Sequence, residues 1–155
     1  MGGNIDLLSS ANKRQTHRGP DDSAKWIDVN HEVGLAHTRL SILDVSSHGH
    51  QPMQSSNGSM VLSYNGEIYN CESIRNSLVE KGFSFRGGSD TEVLLNLYLD
   101  EGVNLLPKLK GIFSFAIWDA SKKSIFLARD ALGVKPLYYA VTEKYFIFAS
   151  EIKAL

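Results

Sequence analysis

Ser63-Tyr64-Asn65-Gly66-Glu67-Ile68-Tyr69-Asn70 joins a strand-like apolar run, Met60 to Tyr64, to a segment with helical patterning, and the rest of the chain is read outward from it. Two chemistries want its central pair. Asn and Gly both tolerate positive φ, so Asn-Gly between alternating apolar residues is a strong hairpin-turn signal. A Gly N–H with no side chain in the way, beside an Asn amide, also supplies two donors at one point, as an oxyanion hole requires. The two roles are compatible, and the pattern leaves both open.

Downstream, Asn70 stands where a helix N-cap would, Ile74, Leu78 and Val79 make an apolar stripe, and Gly82 closes it. Cys71 falls in the first turn. Phe83-Ser84-Phe85 alternates as a short strand, Gly87-Gly88 allows a sharp bend, and Ser89 and Glu92 have capping-box spacing for a second helix starting near Asp90. Val93, Leu94, Leu97 and Tyr98 line the buried side of that helix, and Gly102 stops it. An acid such as Asp90 in a first helical turn is favoured by the dipole whatever the function. After a helical turn over 105–109, apolar runs at 112–118, 124–128, 137–141 and 145–149 predict strands, the continuous ones covered on both faces. A further helix begins at Ser150.

Upstream, Ile5, Leu8, Ala11 and Asn12 predict a short helix ending before Gly19-Pro20, and His17-Arg18-Gly19-Pro20-Asp21-Asp22 reads as a polar loop. Period-two patterning over 24–29 and 33–43 predicts a hairpin. Arg39 is its oddity, since a guanidinium between apolar neighbours is rarely buried without a carboxylate partner; an exposed or cross-strand pair is the plain alternative. Residues 46–57 read as loop. His48 and His50 lack the companion ligands a metal site needs, so they read as solvated loop histidines and no metal is expected.

The 155 residues suit one domain, long enough to bury roughly two thirds of its unfolded surface. Apolar residues make up 43% and charged residues 21%, with no apolar run near membrane-spanning length. Sixteen basic and seventeen acidic residues give a net charge of −1, without the basic stripe that nucleic-acid binding needs. Neither a nucleic-acid nor a membrane partner is expected. One cysteine and no signal peptide point to a reducing cytoplasm, and Asp6 counts against N-myristoylation of Gly2. There is no Gly-x-Ser-x-Gly elbow for a serine hydrolase.

Helices between strands joined by tight turns indicate an α+β domain with helices covering antiparallel sheets. Beyond that pattern, His17-Arg18-Gly19-Pro20-Asp21-Asp22, Arg39-Leu40-Ser41-Ile42, Asn65-Gly66-Glu67-Ile68-Tyr69-Asn70, Ser89-Asp90-Thr91-Glu92 and the Arg129 to Tyr139 run occur in order. Together they resemble the class II, N-terminal nucleophile, glutamine amidotransferase domain of glutamine-hydrolysing asparagine synthetases, over nearly the whole chain. The resemblance implies a four-layer αββα sandwich of two antiparallel sheets between helical layers. It also implies that Arg39 grips the glutamine α-carboxylate, Asp90 holds the α-ammonium, Asn65 and the Gly66 N–H form the oxyanion hole, and Glu67 contacts glutamine.

In that family a leading cysteine attacks the glutamine amide with its own α-amine as base. This chain opens Met1-Gly2-Gly3-Asn4, and Cys71 has no free α-amine to serve it. The expectation is therefore a single domain truncated before the nucleophile strand and inactive as given, ending where a synthetase domain would follow. ATP, magnesium and aspartate are implied only for that synthetase domain; the domain in hand needs no cofactor. Unpaired strand edges invite association, so a homodimer is among the expected assemblies. The competing view is a non-catalytic relative that keeps the pocket for binding glutamine or serves as a scaffold.

Overall fold

The structure, a computed structural model, describes residues 2–40 and 49–155, with side chains from residue 6 onward. Ser41, Ile42 and the rest of the expected strand to Leu43, together with Ser46 to His48 of the expected loop, lie outside the described residues. The elements are α1 (Gly2–Lys13), β1 (Asp22–Asp28), β2 (Val33–Arg39), β3 (Met53–Gln54), β4 (Met60–Ile68), α2 (Cys71–Glu80), α3 (Asp90–Glu101), β5 (Gly111–Asp119), β6 (Ser124–Arg129), β7 (Tyr138–Val141) and β8 (Phe146–Ala149). Short 3-10 turns cover Thr16–Arg18, Gly102–Lys108 and Ile152–Ala154, the last where a longer helix was expected to begin.

All strand pairs are antiparallel: β3-β4-β5-β6 form one sheet, and β1-β2 and β7-β8 form separate hairpins. Period two divides β4 between two cores. Met60, Leu62, Tyr64 and Ile68 pack with Ile74 and Leu78 of α2 and Val93, Leu94 and Leu97 of α3. Val61 on the other face packs with Ala116 and Trp118 of β5 and Leu35 of β2, and Phe148 of β8 lies against this second core. On the far side of β2, Gly34 meets Leu8 of α1. The order of layers is thus α2/α3, four-stranded sheet, hairpins, α1: the expected sandwich, with its second β layer in two pieces among the described residues.

Several local expectations are corrected. Asn65-Gly66 is no turn: both residues sit inside β4, opposite Ser114 and Phe113 of β5. The ladder over nine residue pairs outweighs the local turn preference, as tertiary context does for strands generally. Phe83-Ser84-Phe85 forms no strand; both rings instead pack against the helix-side core, and the Arg75 guanidinium lies 4.3 Å from the Phe85 ring centroid. The double coverage expected of the apolar runs holds for β5, whereas Tyr139, Val141 and Phe146 of the β7-β8 hairpin are exposed.

Helix starts follow sequence only in part. Ser89 caps α3, accepting from the Glu92 N–H at 3.4 Å, as the spacing predicts. The reciprocal half of the capping box does not form. Glu92, 5% exposed, accepts instead from the N–H groups of Arg86 at 2.9 Å and Gly87 at 3.0 Å, so its charge fixes the bend before the helix. Asn70 caps α2 by position alone; its amide donates to the Lys108 carbonyl and accepts from the Lys110 N–H, both at 2.9 Å, tying the end of β4 to the start of β5.

The need for glycine at position 66 comes from the sheet. A Cβ there would stand 2.4 Å from the Ile112 carbonyl oxygen and 2.7 Å from the Phe113 Cα, so any side chain forces β4 away from β5. Gly66→Ala is expected to lower the unfolding free energy by about 1–3 kcal/mol, the usual cost of overpacking. An unchanged urea midpoint would contradict this close approach.

Candidate functional site

β4 is paired unequally. β5 accompanies all nine of its residues, while β3 covers only Val61 and Leu62. In the antiparallel ladder successive N–H groups point to opposite edges. Since Tyr69 donates to Lys110 on the β5 side, the N–H groups of Tyr64, Gly66 and Ile68 face the other, open edge. The Tyr64 N–H donates to the Gln51 side-chain oxygen at 2.6 Å, and the Ile68 N–H to Asp90 Oδ2 at 3.2 Å. Between these two, the Gly66 N–H faces a cavity of about 950 Å³ lined by Arg39, Asn65, Gly66, Glu67, Asp90 and Cys71.

All five residues singled out in the sequence thus border one cavity, reached from three elements. Arg39 ends β2 and registers opposite Asp22 of β1. Its guanidinium occupies space that only a glycine leaves: a Cβ on Gly49 would lie 2.3 Å from Arg39 Nη2. Asn65 and Glu67 share the β4 face that carries Ser63, which faces the hairpin layer through His37. Asp90 enters from the helix layer as the first residue of α3, so its place at a helix start and its place at the cavity are the same fact.

The electrostatics separate these groups by task. His37, its Nδ1 3.3 Å from Ser63 Oγ, is pushed down to about 4 by burial and by the charge of Arg39, so it is neutral at physiological pH. It adds no second cation beside Arg39. The Cys71 thiol is pushed up by burial and then by Asp90. A thiol held protonated is a poor nucleophile, so Cys71 serves as cavity wall.

Sequence reasoning missed the groups that hold the site in place. Tyr64 read as an apolar strand residue, yet its hydroxyl donates to Asp90 Oδ2 at 2.6 Å. Gln51 read as loop, yet it is buried and completes the edge of β4. The Arg129 to Tyr139 motif is organised by buried Asp130, which accepts from the N–H groups of Phe113, Val134 and Lys135. Those bonds, that from Lys135 first, hold its carboxyl below the usual range and place Lys135 at the cavity rim. Of these three only Asp130 lies in one of the ordered motifs; no sequence signal marked the roles of Tyr64 and Gln51. Among the described residues no cluster of His, Cys, Asp or Glu could hold a metal ion.

The class of fold follows from solved structures. Glutamine phosphoribosylpyrophosphate amidotransferase from Bacillus subtilis matches 96% of this chain and 40% of its own, with a TM-score of 0.78 at 23% identity. A structure of the allosteric regulatory enzyme of purine biosynthesis matches 97% and 39%, with a TM-score of 0.74 at 24% identity. These show that the chain shares their fold, an α+β sandwich of helices over antiparallel sheets. The chain belongs to the glutamine amidotransferase domain family, whose model matches residues 2–155.

Asparagine synthetase [glutamine-hydrolyzing] 2 of Bacillus subtilis is 45% identical over 140 residues, 90% of this chain and 18% of the relative. Asparagine synthetase B of Escherichia coli is 43% identical over 140 residues, 90% and 24% respectively. Amidase chry2 of Gibberella zeae is 41% identical over 150 residues, 97% and 22% respectively. The chain therefore spans about a fifth to a quarter of the length of these relatives.

One wall of the cavity carries a pH-sensitive tie. Arg18, at the rim, and His17 both reach Glu151 Oε1, at 3.2 and 2.9 Å, while Lys153 meets Oε2 at 2.9 Å. Lys153 first, then His17 and Arg18, hold the Glu151 carboxyl down at about 2, against an ordinary 4.5. A depressed carboxylate adds stability that is complete above the ordinary value and lost as pH falls toward the folded one. Glu151→Gln is expected to lower the urea midpoint at pH 6 and to converge with the parent near pH 2; a gap that persists at pH 2 would contradict the tie.

Proposed function

We propose that this chain is the glutamine-hydrolysing, ammonia-supplying domain of an asparagine synthetase-like amidotransferase. The observation that carries this is the convergence of Arg39, Asn65, Gly66, Glu67 and Asp90 on the open edge of β4. A guanidinium and a carboxylate are complementary to the two charged ends of an amino acid. Asn65 and the Gly66 N–H, adjacent in one strand, suit the oxyanion that forms when the side-chain amide is attacked, and Glu67 lies beside them for a further contact.

The attacking thiol is assigned to a leading cysteine of the family kind with its α-amine as base; the 155 residues contain only Cys71. Ammonia would pass to a synthetase domain, where ATP and magnesium would activate aspartate, and these belong to that domain alone. No helix among the described residues is long and apolar enough to cross a membrane, in keeping with a cytoplasmic enzyme.

Calorimetry with the 155-residue chain tests the pocket: L-glutamine is expected to bind, and Arg39→Ala to weaken binding about 30-fold or more, the scale for truncating one partner of a charge pair. Equal affinities would reject the assignment. The chain as it stands is expected to show no glutaminase turnover. Preceded by a Cys-Gly-Ile segment with a free α-amine it should gain activity, and Asn65→Ala should then lower kcat by about 10²–10³ while binding changes little. Turnover by the 155 residues that vanishes in Cys71→Ser would make Cys71 the nucleophile instead.

A further inference from the structure

We propose that Tyr64 is a positioning residue for amino-acid selection: its hydroxyl, with the Ile68 N–H, takes one oxygen of Asp90 and so presents the other to the ligand's α-ammonium. The inference rests on the pocket assignment above and adds to it a residue that acts through Asp90. Asp90 Oδ2 accepts from Tyr64 Oη at 2.6 Å and from the Ile68 N–H at 3.2 Å, whereas Oδ1 has no hydrogen-bond partner among the described residues. The carboxylate is therefore held by one oxygen only.

This asymmetry has a physical consequence. A carboxylate in the first turn of a helix is drawn toward that helix's own unsatisfied N–H groups, through the dipole and local side-chain-to-backbone bonds. An Asp90 free to turn there would present the cavity with a variable and partly neutralised face. Two donors from β4 pull it to the strand edge instead, beside the Gly66 N–H. Tyr64 is suited to the task, because it is only 4% exposed and its ring is fixed in the helix-side core. Burial first, then the charge of Asp90, hold the phenol far above its ordinary titration range, so it stays a donor wherever Asp90 is ionised.

Tyr64→Phe removes one O–H and keeps the ring. The readout is calorimetric affinity for two ligands, L-glutamine and 4-carbamoylbutyrate, which is glutamine without the α-ammonium. Tyr64→Phe is expected to weaken glutamine about tenfold, the scale of one hydrogen bond to a charged group, and to leave 4-carbamoylbutyrate within about twofold. Equal weakening of both ligands would mean that Tyr64 only packs, and no change in either would mean that Asp90 needs no such hold; either result overturns the proposal. Failure of the pocket assignment looks different, since then the unaltered chain binds no glutamine, and the selection role falls with it.

The contact itself has a test independent of ligand. Urea midpoints of Tyr64→Phe, Asp90→Asn and the double variant are expected to be non-additive, the double losing less than the two singles together. Additive losses overturn the proposal whatever glutamine does.

Discussion

The half-paired state of β4 is the constraint on which the rest of this structure depends. On one side β5 pairs with it from end to end; on the other β3 stops after two residues, and the N–H groups of Tyr64, Gly66 and Ile68 are left facing outward. A bare strand edge in a protein interior would leave backbone donors unsatisfied, each at a cost comparable to a lost hydrogen bond. The chain meets two of the three with side chains, Gln51 from the loop before β3 and Asp90 from the start of α3. The third, on Gly66, stays directed at the cavity, as the proposed oxyanion hole requires.

That arrangement explains why the site draws on three layers. The helix layer supplies Asp90 and Cys71, the central sheet Asn65, Gly66 and Glu67, and the hairpin layer Arg39 with neutral His37. Charge is kept sparse where the layers meet. His37 is neutral because desolvation and the charge of Arg39 disfavour its cation, and the half-buried Cys71 stays protonated because desolvation and the charge of Asp90 disfavour its thiolate. The remaining ionic groups near the cavity are fixed by backbone or by partners, as Asp130 is by three N–H groups and Glu151 by Lys153, His17 and Arg18.

Glycine does two kinds of work here. Gly66 lets two strands approach until a Cβ would touch the neighbouring carbonyl, and it bares an N–H to the cavity at the same time. Gly49 acts at a distance in sequence, since its missing side chain is the space that the Arg39 guanidinium fills. Neither demand follows from a turn, although both residues sit in stretches with strong turn composition.

What the sequence determined by itself was the set of elements with strong periodicity and the identity of the chemical groups. Period two placed β1 and β2, apolar runs placed the first half of β4 and β5, the apolar stripes placed α2 and α3, and the ordered motifs marked Arg39, Asn65, Gly66, Glu67 and Asp90, all of which border one cavity. Local chemistry misled where a ladder or a core offered more than a turn or cap could. Asn65-Gly66 lost its turn to nine backbone pairs with β5, Phe83 and Phe85 gave up strand geometry to reach the core, and Glu92 left the capping box for the N–H groups of Arg86 and Gly87. The tertiary structure alone decided which N–H faces the cavity, which oxygen of Asp90 is taken, and that Gln51 and Tyr64 hold the edge. Those facts depend on groups 13 to 26 residues apart meeting at hydrogen-bond distance, and no periodicity within a segment carries information on which distant partner a polar group will find.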